Sequence, residues 1–125
     1  MVRAKHLHEW QVLPSEGFSI QRNLAQRVVS EGDMREVRLV AGVDVSAPRA
    51  QNIVRAAIVV LSSPGLEPVE SRLAERPVEL SYIPGLLSFR EAPVILEACE
   101  KLASVPDLIL VDGQGRAHPR RLGLA

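Results

Sequence analysis

Residues 106–124, PDLILVDGQGRAHPRRLGL, decide how this chain folds. Leu108 to Val111 is apolar throughout and ends on an acid, Asp112. A short run without polar alternation is the pattern of a strand covered on both faces and lying parallel to a neighbour. An acid at the end of such a strand is costly unless something pairs with it. Gly113 and Gly115 follow, then Arg116, His118, Arg120 and Arg121. A loop of glycines and cations beside an acid has the composition of a phosphate or nucleic-acid site.

Upstream, the pattern predicts a helix over 91–103, with Ile95, Ala98, Cys99 and Leu102 on its inner face. Before it come three strand-like runs, 37–45, 53–61 and 66–77. Ala47-Pro48-Arg49 and Ser62-Ser63-Pro64-Gly65 separate them as turns. Short turns between adjacent runs imply an antiparallel three-stranded meander. A first helix is predicted over 15–31, with Ile20, Leu24 and Val28 on one face and Gly32 as its stop. The expected fold is therefore α/β: a meander, a helix, and a fourth strand parallel to the first, in one domain spanning 1–125.

The composition suits that reading. Apolar residues make up 46% and charged residues 24%, while aromatics are only 3%, so Val, Leu, Ile and Ala must build the core. The formal net charge is zero, which removes any overall basic field for nucleic acid and leaves only a local patch. The one cysteine, Cys99, excludes an intrachain disulfide, and a cytoplasmic setting is expected. The start, MVRAKHLHEW, lacks the apolar centre of a signal peptide, and no apolar run reaches membrane-spanning length. In that start, His6 and His8 near Trp10 form either a metal site or a packed arm. No acid or further histidine stands at ligand spacing to favour the metal.

Two acids sit badly on apolar strands. Asp44 interrupts Leu39-Val40-Ala41-Gly42-Val43-Asp44-Val45, where Gly42 suggests close backbone packing. Asp112 ends the fourth run. If the first and fourth strands lie side by side, both acids leave at one edge. Two carboxylates so placed need a counter-charge, and a divalent cation such as Mg²⁺ or Mn²⁺ suits oxygen ligands. Alternatively, Asp112 before Gly113 is an ordinary turn former. Glu91 is a third candidate ligand. It is either the third residue of a capping box begun by Ser88, or it stands free at the mouth of a helix that starts near Ala92 with Pro93 at its first position. A Ser88–His118–Asp112 triad lacks the strand–turn–helix elbow of serine hydrolases. Gly113 and Gly115 match neither the dinucleotide fingerprint nor a P-loop.

Four segments carry a resemblance to one family: Val40-Ala41-Gly42-Val43-Asp44-Val45-Ser46; Tyr82 to Glu91 (YIPGLLSFRE); Pro106 to Gly115 (PDLILVDGQG); and Ala117 to Gly123 (AHPRRLG). In this order they resemble endonuclease V, a nuclease with an RNase H-like fold directed at deoxyinosine. The resemblance implies cleavage at the second phosphodiester bond 3′ to a deaminated base, chiefly hypoxanthine, with a divalent metal. It implies Asp44, Glu91 and Asp112 as metal-binding acids and His118 near the catalytic centre. Tyr82, within Tyr82-Ile83-Pro84, is implied as a wedge filling the space of a flipped base. Gly85, Leu87 and Gly113 are implied as lining the base pocket. Arg90, Arg116, Arg120 and Arg121 are read either as phosphate contacts or as a solvated basic loop. Ser81 stands where the family usually has proline, and Ala47 where a larger residue is common.

The family continues past the fourth motif, so the resemblance implies that the chain is the N-terminal portion. The expected partner is DNA containing deaminated bases, with RNA as the alternative. The rival reading is a module that binds such strands without cutting them, and a metal-dependent phosphohydrolase of small molecules is the third. An incomplete RNase H-like sheet is expected to expose an apolar face and an edge, and hence to self-associate.

Overall fold

A computed structural model describes residues 1–34, 36–78 and 85–125. In chain order the elements are helix α1 (Pro14–Ala25), strand β1 (Leu39–Ser46), strand β2 (Ile53–Ser62), strand β3 (Pro68–Pro77), helix α2 (Leu87–Glu100) and strand β4 (Leu108–Val111). A short 3-10 turn, Arg49–Gln51, joins β1 to β2. The sheet order is β3-β2-β1-β4. β1, β2 and β3 form an antiparallel meander, and β4 runs parallel to β1 as expected, but it is not covered on both faces, because Ile109 and Leu110 are exposed. α2 is the crossover that a parallel pair requires.

Strand alternation divides the sheet into two unlike faces. Ala41 and Val43 of β1, Val54, Ala56, Ile58 and Val60 of β2, and Ala74 of β3 point to one side. There they meet Val94, Ile95, Ala98 and Cys99 of α2, with Leu102 just past its end. The core is aliphatic, as the low aromatic content demanded. On the opposite face nothing among the described residues covers the sheet. Val59 is 42% exposed, Leu73 60% and Leu110 58%. Gly42 opens onto that face and has no close neighbour, so it marks no tight backbone contact.

Both helix boundaries depart from the periodic expectation. α1 begins with Pro14 at its first position, and Glu16 accepts a hydrogen bond from the Leu13 N–H at 3.2 Å. It ends at Ala25 rather than at residue 31. Val28 and Val29 are exposed and meet no apolar surface, so a further turn would bury nothing. α2 starts at Leu87, earlier than either predicted start, and Pro93 lies inside it. The ring removes one helical hydrogen bond. The earlier start buries Phe89 against Trp10 and His8, with ring centroids 5.6 and 5.4 Å away. His8 thus belongs to a packed arm, and the exposed His6 pairs with Glu9.

Asp107 sets the register of β4. Its carboxylate accepts the backbone N–H groups of Arg38 and Leu39 at 3.0 and 2.9 Å, and its own N–H returns to Leu39. The two backbone bonds hold the Asp107 carboxyl below its usual value of 3.8. A lowered acid contributes stability that is present above the unfolded pKa and lost as pH falls through the folded one. Stability is therefore expected to drop as pH falls through 3.8 and below. Asp107→Asn should flatten that arm, which urea midpoints across the acid range would measure.

Candidate active site

The parallel register places Val43 opposite Val111. Asp44 and Asp112 each follow by one residue, so both leave the sheet at the same end of adjacent strands. α2 crosses the core face and brings Glu91 to that end from its second turn, not from the helix mouth. The three acids line one cleft of about 210 Å³ with Val43, Val45, Leu87, Val111, Gly113 and Leu124. Burial pushes the Glu91 carboxyl above its usual value; Arg90 opposes this and the charge of Asp44 adds to it. The Asp44 carboxylate accepts the Val45 N–H at 2.9 Å.

A cleft lined by three carboxylates has the oxygen donors that suit a hard divalent cation in chemistry. The present geometry is looser. Among the described residues, no group of three or more His, Cys, Asp or Glu side chains stands close enough to hold a metal ion.

Beside the cleft is a smaller cavity of about 100 Å³, lined by Gly85, Leu87, Ser88, Gln114, His118, Gly123 and Leu124. Leu87 and Leu124 line both spaces. The volume is far below the roughly 300–1,000 Å³ of a pocket for a drug-sized ligand, so a single small group is the scale of occupant. Gly85 adopts φ +85°, and a Cβ there would run into the Arg120 guanidinium. Gly113, at φ +134°, lies in the acid cleft rather than in the small cavity. At both positions only glycine takes the backbone without strain.

Relatives of known identity fit this arrangement. The family model for Endonuclease V matches residues 22–125. The chain belongs to the Endonuclease V family. Endonuclease V of Dehalococcoides mccartyi (strain BAV1) is 52% identical over 124 residues, covering 99% of this chain and 56% of that protein. The crystal structure of Endonuclease V from Streptomyces avermitilis superimposes with a TM-score of 0.86 at 39% identity, covering 98% of this chain and 54% of the other. Endonuclease V from Ciona intestinalis, solved with a 24mer DNA containing an inosine followed by a ribo-adenosine, gives 0.78 at 26% identity, covering 88% and 50%. The mixed sheet with its two helices is the Endonuclease V architecture, an RNase H-like fold. The chain spans about half the length of the relatives it matches.

Against the residues that the Endonuclease V motifs named, the structure sorts as follows. Asp44, Glu91 and Asp112 share the cleft; Gly85, Leu87 and His118 share the small cavity. Tyr82, Ile83 and Pro84 lie outside the described residues. Arg90 lines a separate cavity with Trp10, Pro77 and Phe89, away from both spaces. Arg120 does not reach outward for phosphate. Its guanidinium lies 4.3 Å over the Phe18 ring and bonds to Gln21 and the Gly85 carbonyl. Arg116 and Arg121 remain exposed.

His118 is buried, at 5% exposure, and faces the small cavity rather than the acids. Its Nδ1 lies 3.0 Å from the Arg120 backbone N–H, and its Nε2 lies 2.9 Å from the Gly85 carbonyl oxygen. An N–H must find an acceptor and a carbonyl a donor, so this network assigns the proton to Nε2. Sequence reasoning missed Gln21, Gln114, Gly123 and Leu124. Gln21 carried a signal: it stands four residues after the buried Gly17 on the inward stripe of α1.

Proposed function

We propose that this chain carries the acid cleft and the base pocket of an endonuclease. It cuts a strand at the second phosphodiester bond 3′ to a deaminated base, chiefly hypoxanthine. One observation carries the reading: the cleft of Asp44, Glu91 and Asp112 shares two walls with a cavity on the scale of a single base. Asp44, Glu91 and Asp112 are the residues that would hold Mg²⁺ or Mn²⁺, which would supply a water of lowered pKa and stabilisation of the leaving oxygen. Gly85, Leu87 and Gly123 present backbone and small apolar surface to a planar ring. A base reaches the cavity only after leaving its stack, at a cost of about a few kcal/mol. Tyr82 fills the gap left behind. Arg116 and Arg121 hold phosphates by charge-assisted bonds. DNA of the kind bound by the C. intestinalis protein is the expected partner, and the cytoplasm the expected setting. Among the described residues no helix is long and apolar enough to cross a membrane.

Incubation with inosine-containing DNA or RNA and Mg²⁺ or Mn²⁺ is expected to give one nick at that bond, abolished by EDTA. The lack of convergence among the three acids favours a second reading, binding without cutting. Preferential binding of inosine strands in EDTA, with no nick under any metal, would establish it.

The open face of the sheet adds an expectation about this chain. Val59, Leu73 and Leu110 are exposed on it, and among the described residues no strand pairs with the outer edge of β4. Such surfaces pair with other copies. Sedimentation velocity is expected to show concentration-dependent association that Leu73→Glu weakens; a monodisperse monomer at all concentrations counts against it.

A further inference from the structure

Gln21 lies outside both cavities, on α1, yet it is 1% exposed. Among the described residues, it and His118 are the buried polar side chains. Its amide is spent on two bonds. Nε2 donates to the Gly85 carbonyl oxygen at 2.7 Å, and Oε1 accepts Arg120 Nε at 2.5 Å. The opposite amide orientation would set donor against donor and acceptor against acceptor, so the network fixes it.

The Gly85 oxygen therefore receives three donors: Gln21 Nε2, His118 Nε2 at 2.9 Å and Arg120 Nη2 at 3.2 Å. One comes from α1 and two from the C-terminal loop. They converge on a residue at positive φ, whose peptide would otherwise swing freely. Because a peptide unit is planar, pinning that oxygen also orients the Gly85–Leu86 peptide, from which the chain runs on to Leu87 in the cavity wall. Gln21 is the member that joins the two sides, since it alone bonds both the carbonyl and the guanidinium beside it.

We propose that Gln21 is a positioning residue that sets base discrimination, acting through the Gly85 carbonyl and Arg120 rather than by touching the base. The inference rests on the small cavity's being the base pocket, as argued above. A floppy wall admits adenine and hypoxanthine alike; a pinned one distinguishes their donor and acceptor edges.

The test uses the whole chain in EDTA, where no cutting intervenes. Affinities are measured for one strand carrying a single inosine and for the same strand carrying adenine. Gln21→Met keeps the volume and removes both bonds. Gln21→Glu keeps the acceptor for Arg120 and loses the donor to Gly85. Loss of one buried hydrogen bond corresponds to about tenfold. The inosine-to-adenine ratio is expected to fall about tenfold in Gln21→Met and at least as far in Gln21→Glu, whose carboxylate faces the Gly85 carbonyl oxygen, with affinity for the adenine strand unchanged. A purely structural role would lower both affinities together. A wild-type ratio in a folded Gln21→Met variant overturns the inference; if that variant does not fold, a wild-type ratio in Gln21→Glu does so. A wild-type protein without inosine preference overturns the base-pocket reading itself, and that failure appears before any substitution is made.

Discussion

Asp44→Ala is expected to reduce metal-dependent nicking of an inosine strand by at least about a hundredfold while leaving the fold as stable as before. Groups that merely orient metal ligands are worth about 10–100-fold when removed, and Asp44 is proposed as a ligand itself. Its stability cost is small because the carboxylate is exposed and its one recorded bond is to the next residue's N–H. The substitution also removes one of the two influences that push the Glu91 carboxyl upward. A folded variant that nicks at the wild-type rate would sink the assignment. The melting midpoint in EDTA, measured alongside, separates loss of the site from loss of the fold.

Ile58→Ala is expected to lower unfolding stability by about 2–5 kcal/mol, the usual cost of such a truncation in a filled core. Ile58 is fully buried in the central strand β2, beneath α2. Small domains hold only about 5–15 kcal/mol in total. With one sheet face uncovered, this chain buries less apolar surface per residue than a sheet covered on both sides. The substitution therefore removes a large share of the margin. Val59→Ala is the contrast, because the neighbouring side chain points to the open face and is 42% exposed. It should cost no more than about 0.5 kcal/mol. Urea midpoints of the two variants decide the matter; equal losses would mean that the open face is covered in solution.

Much of the fold was legible because strands announce themselves locally. The runs 53–61 and 108–111 matched β2 and β4 closely, and Ile95, Ala98 and Cys99 proved to be the inner face of α2; Leu102 is buried too, but just past the helix end. The parallel fourth strand followed from four apolar residues in a row, and with it the shared exit of Asp44 and Asp112. Helix ends were less legible. Propensity and periodicity carried α1 past Ala25, but a turn bearing Val28 and Val29 had nothing to pack on. Pro93 argued for a late start to α2, but burial of Phe89 against Trp10 and His8 outweighed one lost helical bond.

The sequence by itself determined which residues could be strands, which face of α2 is apolar, and that acids stand at two strand ends. Tertiary structure alone decided which polar groups turn inward. By sequence, Arg120 reads as a phosphate contact or part of a solvated basic loop, and His118 as a group near the catalytic centre. Their partners are a helical amide 99 positions from Arg120 and a glycine carbonyl 33 positions from His118. No local period records such a pairing. A buried donor must find an acceptor wherever the fold places one, and only the closed fold says where that is.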